Sequence, residues 1–333
     1  MLREDSHPYD RLTPDSVLSS LESVGWLPDG RLLALNSYEN RVYQVGIEGG
    51  QPVVAKFYRP DRWMDAAILE EHQFALELAA AEVPVVAPLT SIGANDGTTL
   101  FEHDDFRFAV FERRGGRWPD LGTRDEREWM GRFIGRLHAV GRRRRFVERP
   151  AMSIDRLGHD SREWLLESDF IPEHMIEAYD SVSADLLAAV ERQFDLAGSV
   201  ATLRIHGDCH PGNVLWTDAG PHFVDLDDCM NGPAIQDLWM LLSGNRREMG
   251  EQMGHFLSGY TQFADFDFTE LHLLEALRSL RIMHYAAWLA RRWDDPAFPR
   301  AFPWFAEVRY WERHVLDLRE QLAALDEGPL LIE

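Results

Sequence analysis

Apolar and polar positions alternate in short runs through the first third of the chain. Residues 31–35, 41–47 and 52–58 have the period-two pattern or the Val-rich composition of strands. The polar turn 36–40 and Glu48-Gly49-Gly50 separate them. The spacing then becomes helical over 61–82, with Ile68, Leu69, Phe74, Leu76 and Leu78 among the apolar positions and Val83-Pro84 beyond the end. Residues 85–89, 98–103 and 106–111 predict further strands, so this part reads as a small antiparallel sheet with one helix. After Arg113-Arg114-Gly115-Gly116 the pattern changes, and the glycine pair predicts a hinge. Thr123-Arg124-Asp125-Glu126 is a capping box that opens a helix to about Val140, with Trp129, Phe133, Ile134 and Leu137 on one face. From there the pattern is mainly helical, including an amphipathic stretch over 273–293 with Leu273, Leu277, Leu280, His284 and Trp288 in register. One insert, 203–228, reads strand, loop, strand. The pattern therefore predicts an α+β chain of two lobes, 1–112 and 113–333.

Composition narrows the function classes. Lys+Arg is 34 against Asp+Glu at 56, a formal net charge of -22. Such a surface repels phosphate backbones and anionic lipid, which argues against nucleic acid and membrane as partners. Two cysteines, Cys209 and Cys229, do not make a disulfide framework and suit a reducing cytoplasm. The start of the chain has no apolar core that would act as a signal peptide, and no apolar run reaches membrane-spanning length. All but one of the basic residues are arginine; the exception is Lys56, inside the third predicted strand. A compact ammonium differs from a planar guanidinium where a phosphate is met at a point, so this lysine is a candidate functional residue.

The chemistry concentrates in Ile205-His206-Gly207-Asp208-Cys209-His210-Pro211-Gly212-Asn213-Val214, followed by Phe223-Val224-Asp225-Leu226-Asp227-Asp228. Carboxylates at the end of an apolar strand are costly to desolvate unless something binds them. Asp208, Asn213 and Asp225 offer the hard oxygen donors that suit Mg2+, which completes its shell with phosphate and water. Phosphoryl transfer needs a carboxylate for the acceptor hydroxyl, metal ligands, a lysine for the nucleotide phosphates and an acidic partner for that lysine. Asp208, the pair Asn213 and Asp225, Lys56, and Glu71 match these parts in chain order, with Glu70 the weaker choice of partner. Zinc at His206, Cys209 and His210 matches no standard spacing and lacks an evident fourth ligand. A Cys209/His210 nucleophile pair is weak because adjacent side chains rarely face each other. Asp228 reads equally well as a solvated turn residue, Asp227 less so. Arg142 to Arg145 read as a solvated helix end. There is neither a dinucleotide fingerprint nor a P-loop.

His-Gly-Asp-x-His-x-Gly-Asn followed by Val-Asp-Leu-Asp resembles the aminoglycoside phosphotransferase and choline kinase superfamily, whose fold is protein-kinase-like. The blocks 35–44, 56–60, 70–75, 231–241, 287–293 and 295–299 resemble bacterial stress-response members of that superfamily. The resemblance implies a small antiparallel-sheet N-lobe that binds nucleotide and a mainly helical C-lobe carrying the catalytic loop and acceptor site. It implies an ATP- and Mg2+-dependent serine/threonine protein kinase, cytoplasmic and monomeric, with a role in stress survival. By carry-over Asp208 is the proton acceptor, Asn213 and Asp225 are metal ligands, and Ser37, Lys56, Glu71 and Phe111 lie on the ATP side. His206, Asp227 and Asp237 are supporting residues, Asp237 as a brace for the catalytic loop. His206-Gly207-Asp208 departs from the His-Arg-Asp of ordinary protein kinases, and only about a dozen residues separate Asp225 from Asp237, too few for a long activation loop. A small-molecule kinase of the same superfamily, acting on an aminosugar, amino alcohol or homoserine, is the rival reading. A nucleotide-binding module without catalysis is a third, disfavoured by the joint presence of Lys56, Asp208, Asn213 and Asp225.

Overall fold

The computed structural model describes residues 9–92 and 97–332. Its ten strands and ten α-helices, counted over those residues, form two compact units. The first takes the chain up to Asp120 together with Phe146–Arg149 and Pro211–Cys229; the second takes Leu121–Arg145, Pro150–His210 and Met230 onward. The units do not follow a single cut in the sequence, because two later segments are packed into the first.

In the first unit, helix α1 (Pro14–Ser23) precedes strands β1 (Pro28–Ala34), β2 (Arg41–Ile47) and β3 (Val53–Phe57), helix α2 (Asp65–Ala80), and strands β4 (Pro88–Leu89), β5 (Phe101–His103) and β6 (Phe106–Glu112). These strands form one antiparallel sheet, in the order β1-β2-β3-β6-β4 with β5 also on β6. Val17 and Leu21 of α1 join Val45, Ala55, Phe57, Phe108 and Val110 in one apolar cluster. The pattern reading assigned no element to α1, although Thr13 caps it and Pro14 occupies its first turn. Helix α2 begins at Asp65 rather than 61 because Asp61 is in the left-handed region, φ 61°, and Met64, the residue before the helix, is extended. The strands expected over 85–89 and 98–103 shorten to β4 and β5, and residues 93–96 between them lie outside the described residues. The hairpin β8 (Val214–Thr217) and β9 (Gly220–Phe223) also belongs to this unit, tied in by Phe223 N–H donating to Pro84 O and Val86 N–H to Phe223 O. The single second strand expected within 203–228 is therefore two.

The second unit is mainly helical: α3 (Arg124–Gly141), α4 (Asp160–Glu167), α5 (Ile176–Ala197), α6 (Gln236–Trp239), α7 (Arg246–Tyr260), α8 (Leu273–Arg291), α9 (Ala297–Ala301) and α10 (Val308–Leu325). A two-stranded ladder of β7 (Leu203–Ile205) and β10 (Met230–Gly232) completes it. The capping box forms as its spacing predicts: Glu126 N–H donates to Thr123 Oγ1 and Thr123 N–H to Glu126 Oε2. The buried face of α3 differs from the expected one. Ile134 and Leu137 are buried, but Trp129 and Phe133 are only half-buried, and Gly131 and Gly135 lie on the packed side. A Cβ at Gly131 would stand 2.0 Å from the Phe256 carbonyl oxygen of α7, so the two backbones touch where larger residues would hold them apart. Arg204 of β7 closes the other end of α3, donating to the carbonyls of Val140 and Gly141.

Helices α5 and α10 meet at an aromatic stack. The His314 ring lies between Tyr179, 5.9 Å away, and Tyr310, 5.7 Å away, both near parallel to it. Burial pushes its pKa down from 6.5 to about 4.

Two outcomes follow from this packing. Gly131→Ala is expected to lower the unfolding free energy by about 1–3 kcal/mol in a denaturant titration, despite the better helix propensity of alanine. An unchanged midpoint would contradict so close a crossing. His314 is neutral in the folded chain down to about pH 4, whereas the unfolded chain takes up its proton near 6.5. Its contribution to stability is therefore intact above that value and is lost as pH falls through the window, by about 1.4 kcal/mol per pH unit. His314→Phe should flatten the fall of melting temperature between pH 6.5 and 4.5; an equally steep fall in the variant would refute the assignment.

Candidate active site

In the first unit the sheet buries its one lysine. Lys56 sits in β3, paired with Val42 of β2 and Ala109 of β6. Its Nζ lies 3.3 Å from Glu71 Oε1 of α2, 3.3 Å from Asp225 Oδ1 and 3.0 Å from Asp227 Oδ1. Burial pulls the pKa of this ammonium down, but the carboxylates of Glu71 and Asp225 more than reverse that, and it stays charged. Burial likewise favours protonated Glu71, and the charges of Lys56 and Arg149 outweigh it, so its pKa is lowered. Glu70, the alternative partner, does different work: its carboxylate accepts the backbone N–H groups of Val147, Glu148 and Arg149 at 2.7, 2.8 and 2.9 Å.

Two arginines that sequence reasoning missed complete this cluster. Arg149 is buried, with Nη1 3.6 Å from Glu71 Oε2, Nε donating to Cys229 O and Nη2 donating to Asp227 O. Arg62 donates to Asp227 Oδ2 and, at 2.7 Å, to Asp228 Oδ1. Asp228 is therefore ion-paired rather than simply solvated. Nothing in the local sequence distinguishes these arginines from the other basic positions; only the fold brings them to the carboxylates.

The metal-ligand candidates are set by the β8–β9 hairpin. Its register pairs Val214 with Phe223, and Val224 N–H donates to Asn213 O at 3.0 Å, so Asn213 lies across from the residue before Asp225. Asp225 has φ 58° and ψ 66°, a left-handed conformation that aspartate tolerates better than most residues and that is concentrated at functional sites. A half-exposed carboxylate and an amide side chain are the donor types that suit a hard divalent cation whose shell is completed by phosphate and water. Among the described residues no group of three or more His, Cys, Asp or Glu side chains is placed to hold a metal by itself. Burial pushes the Cys209 thiol well up, which makes it a poor nucleophile. Ser37 lies in the turn between β1 and β2, where its Oγ donates to Asn40 O at 3.2 Å. The Phe111 ring in β6 packs edge-on against His72, with centroids 6.4 Å apart.

In the second unit β7 runs into the His206-Gly207-Asp208 loop. Asp237 of α6 is buried, and its Oδ2 and Oδ1 accept the N–H groups of His206 and Gly207 at 2.7 and 2.9 Å. His138 of α3 lies 2.9 Å from the same Oδ2, and Gln236 Nε2 donates to Gly207 O. Gly207 has φ 85°, which the missing Cβ permits. Asp208 is thus presented from a loop clamped on both its donors and its acceptor. Arg281 of α8 donates to Asp208 Oδ1 at 2.5 Å, and His210 Nε2 lies 3.4 Å from Oδ2. Burial raises the Asp208 pKa, but the hydrogen bond from His210 and the charge of Arg281 dominate, and the carboxyl is held well below the usual range. Arg281 was legible in principle: it stands four residues after Leu277 and three before His284, a charge on an otherwise packed stripe.

Comparison with known proteins fits this geometry. The sequence profile of the phosphotransferase enzyme family matches residues 31–274. The chain belongs to that family. The phosphotransferase is 44% identical over 329 residues to Stress response kinase A of Escherichia coli strain K12, covering 99% of this chain and 98% of that one. It has the same identity and coverage with Serine/threonine protein kinase RdoA of Salmonella typhimurium strain LT2. Among solved structures it resembles the amicoumacin kinase hAmiN in complex with AMP-PNP, Ca2+ and Ami, with TM-score 0.72 at 20% identity, covering 98% of this chain and 96% of that one. It also resembles a microcompartment-associated aminopropanol kinase, with TM-score 0.67 at 19% identity over 93% and 97% of the two chains. The fold is thus the bilobal, kinase-like α+β fold that the sequence resemblance implied, and the phosphotransferase is a kinase. No helix among its described residues is long and apolar enough to cross a membrane.

Lys56→Met should lower the unfolding free energy by about 3 kcal/mol, the lower end for breaking a buried pair, since Arg62 and Arg149 remain beside the carboxylates. Wild-type stability in a urea titration would show that Glu71 and Asp227 do not need the ammonium.

Proposed function

We propose that this phosphotransferase is an ATP- and Mg2+-dependent serine/threonine protein kinase that acts, as a cytoplasmic monomer, in a bacterial stress response. The observation that carries the reading is full-length similarity at 44% identity to relatives named as a stress response kinase and a serine/threonine protein kinase. The ion-paired Lys56, the Asn213–Asp225 hairpin and the clamped Asp208 supply the parts that phosphoryl transfer requires.

In this mechanism Asp208, held ionised, accepts a hydrogen bond from the substrate hydroxyl and orients its oxygen toward the γ-phosphorus. As that oxygen bonds to phosphorus, the bond to the β–γ bridging oxygen breaks and the hydroxyl proton passes to Asp208. Lys56 meets the ATP phosphates as a point charge, positioned by Glu71. Asn213 and Asp225 would hold Mg2+, whose charge offsets that of the phosphate oxygens when it is bound. Ser37 contributes its hydroxyl from the turn over the phosphates, and Phe111 lies on the ATP side. His206 and Asp237 keep the loop that carries Asp208 in shape, and Asp227 keeps Lys56 and Arg62 in place.

Asp208→Asn should reduce transfer from labelled ATP to protein by roughly 10²–10⁴-fold while ATP binding persists. Undiminished labelling would remove Asp208 from its role. Turnover of amino alcohols or aminosugars without protein labelling would replace the protein-kinase reading by the small-molecule one.

A further inference from the structure

Arg281 is the group that sequence reasoning did not assign and that the second unit places directly on Asp208. Its Nη1 donates to Oδ1, while His210 lies near Oδ2, so both oxygens of the carboxylate are covered. Each carboxylate oxygen accepts more than one hydrogen bond, so a substrate hydroxyl that bonds to Asp208 does so beside Arg281 or His210. The Arg281 side chain is 43% exposed, so part of its guanidinium faces solvent. Its Nε and Nη2 meet no acceptor among the described residues, which leaves part of the planar guanidinium fork available for a second anion. The charge is also against the trend of the chain, where acidic residues outnumber basic ones 56 to 34. One and two turns further along α8, Tyr285 and Trp288 stack with centroids 5.7 Å apart, and Tyr285 is exposed. The guanidinium is thus followed by an aromatic ledge.

From this arrangement we infer that Arg281 reads a negative charge on the substrate: the acceptor is a peptide whose serine or threonine has an aspartate or glutamate close by in sequence. The acidic side chain meets Nε and Nη2 of Arg281 as the hydroxyl arrives at Asp208. A cationic acceptor would meet like charge at the same point. The inference rests on the protein-kinase reading and specifies its substrate class. Arg281 acts on the base through its position and on the substrate through its charge.

The test is steady-state phosphorylation of three matched serine peptides, flanked by Asp/Glu, by Ala or by Lys/Arg, by the full chain and by Arg281→Gln and Arg281→Lys. The wild type should use the acidic peptide at least tenfold better, in kcat/KM, than the basic one. Arg281→Gln should lose most of that preference through a higher KM for the acidic peptide, and Arg281→Lys should recover part of it. Equal use of acidic and basic peptides by the wild type overturns the inference and leaves the protein-kinase reading standing. So does a fall in kcat of the same size for all three peptides in Arg281→Gln, which would place the guanidinium on the transferred phosphoryl group or in a purely structural role. Failure to label any peptide while a cationic small acceptor is turned over overturns both readings.

Discussion

The buried ammonium of Lys56 is the interaction on which the first unit depends. A positive charge inside a sheet is tolerated only because carboxylates from two distant parts of the chain reach it: Glu71 from the helix after its own strand, and Asp225 and Asp227 from beyond the β8–β9 hairpin. Arg149 and Arg62 then balance the surplus of negative charge from the other side. The cluster holds residues that are more than a hundred positions apart in a fixed relation. It also explains why segments 146–149 and 211–229 belong to a unit that is otherwise contiguous.

The second unit solves a different problem. A carboxylate proposed to take a substrate proton must be presented at a defined place from a loop, and loops are soft. Asp237 supplies rigidity by accepting two consecutive backbone N–H groups, while His138 on α3 lies at the same carboxylate. The loop before Asp208 is thereby referred to two helices. Charge does the rest, since His210 and Arg281 keep the carboxylate ionised.

The two cation types divide the labour. Arginine is used where several acceptors must be met at once: Arg149 spans backbone carbonyls and a carboxylate, and Arg204 closes the last turn of α3. Lysine is kept for the one place where a compact charge stands among three carboxylates. The one lysine of the chain stands where geometry separates the two side chains.

Much of this was legible in the order of residues, and the reason is locality. Strand alternation, the Thr123 capping box and the spacing from Asp208 to Asn213 are properties of a few consecutive residues, and they predicted β2, β3, α3 and the loop around Asp208 closely. The solitary lysine was visible by counting. What stayed hidden depends on contacts across the fold. The choice of Glu71 over Glu70 follows from which face of α2 meets β3 and which meets residues 147–149. The glycine face of α3 acquires its meaning from the backbone of α7. Arg62 and Arg149 are unremarkable in sequence, and Arg281 shows only as a charge on an apolar stripe, because an arginine's partner is decided by packing.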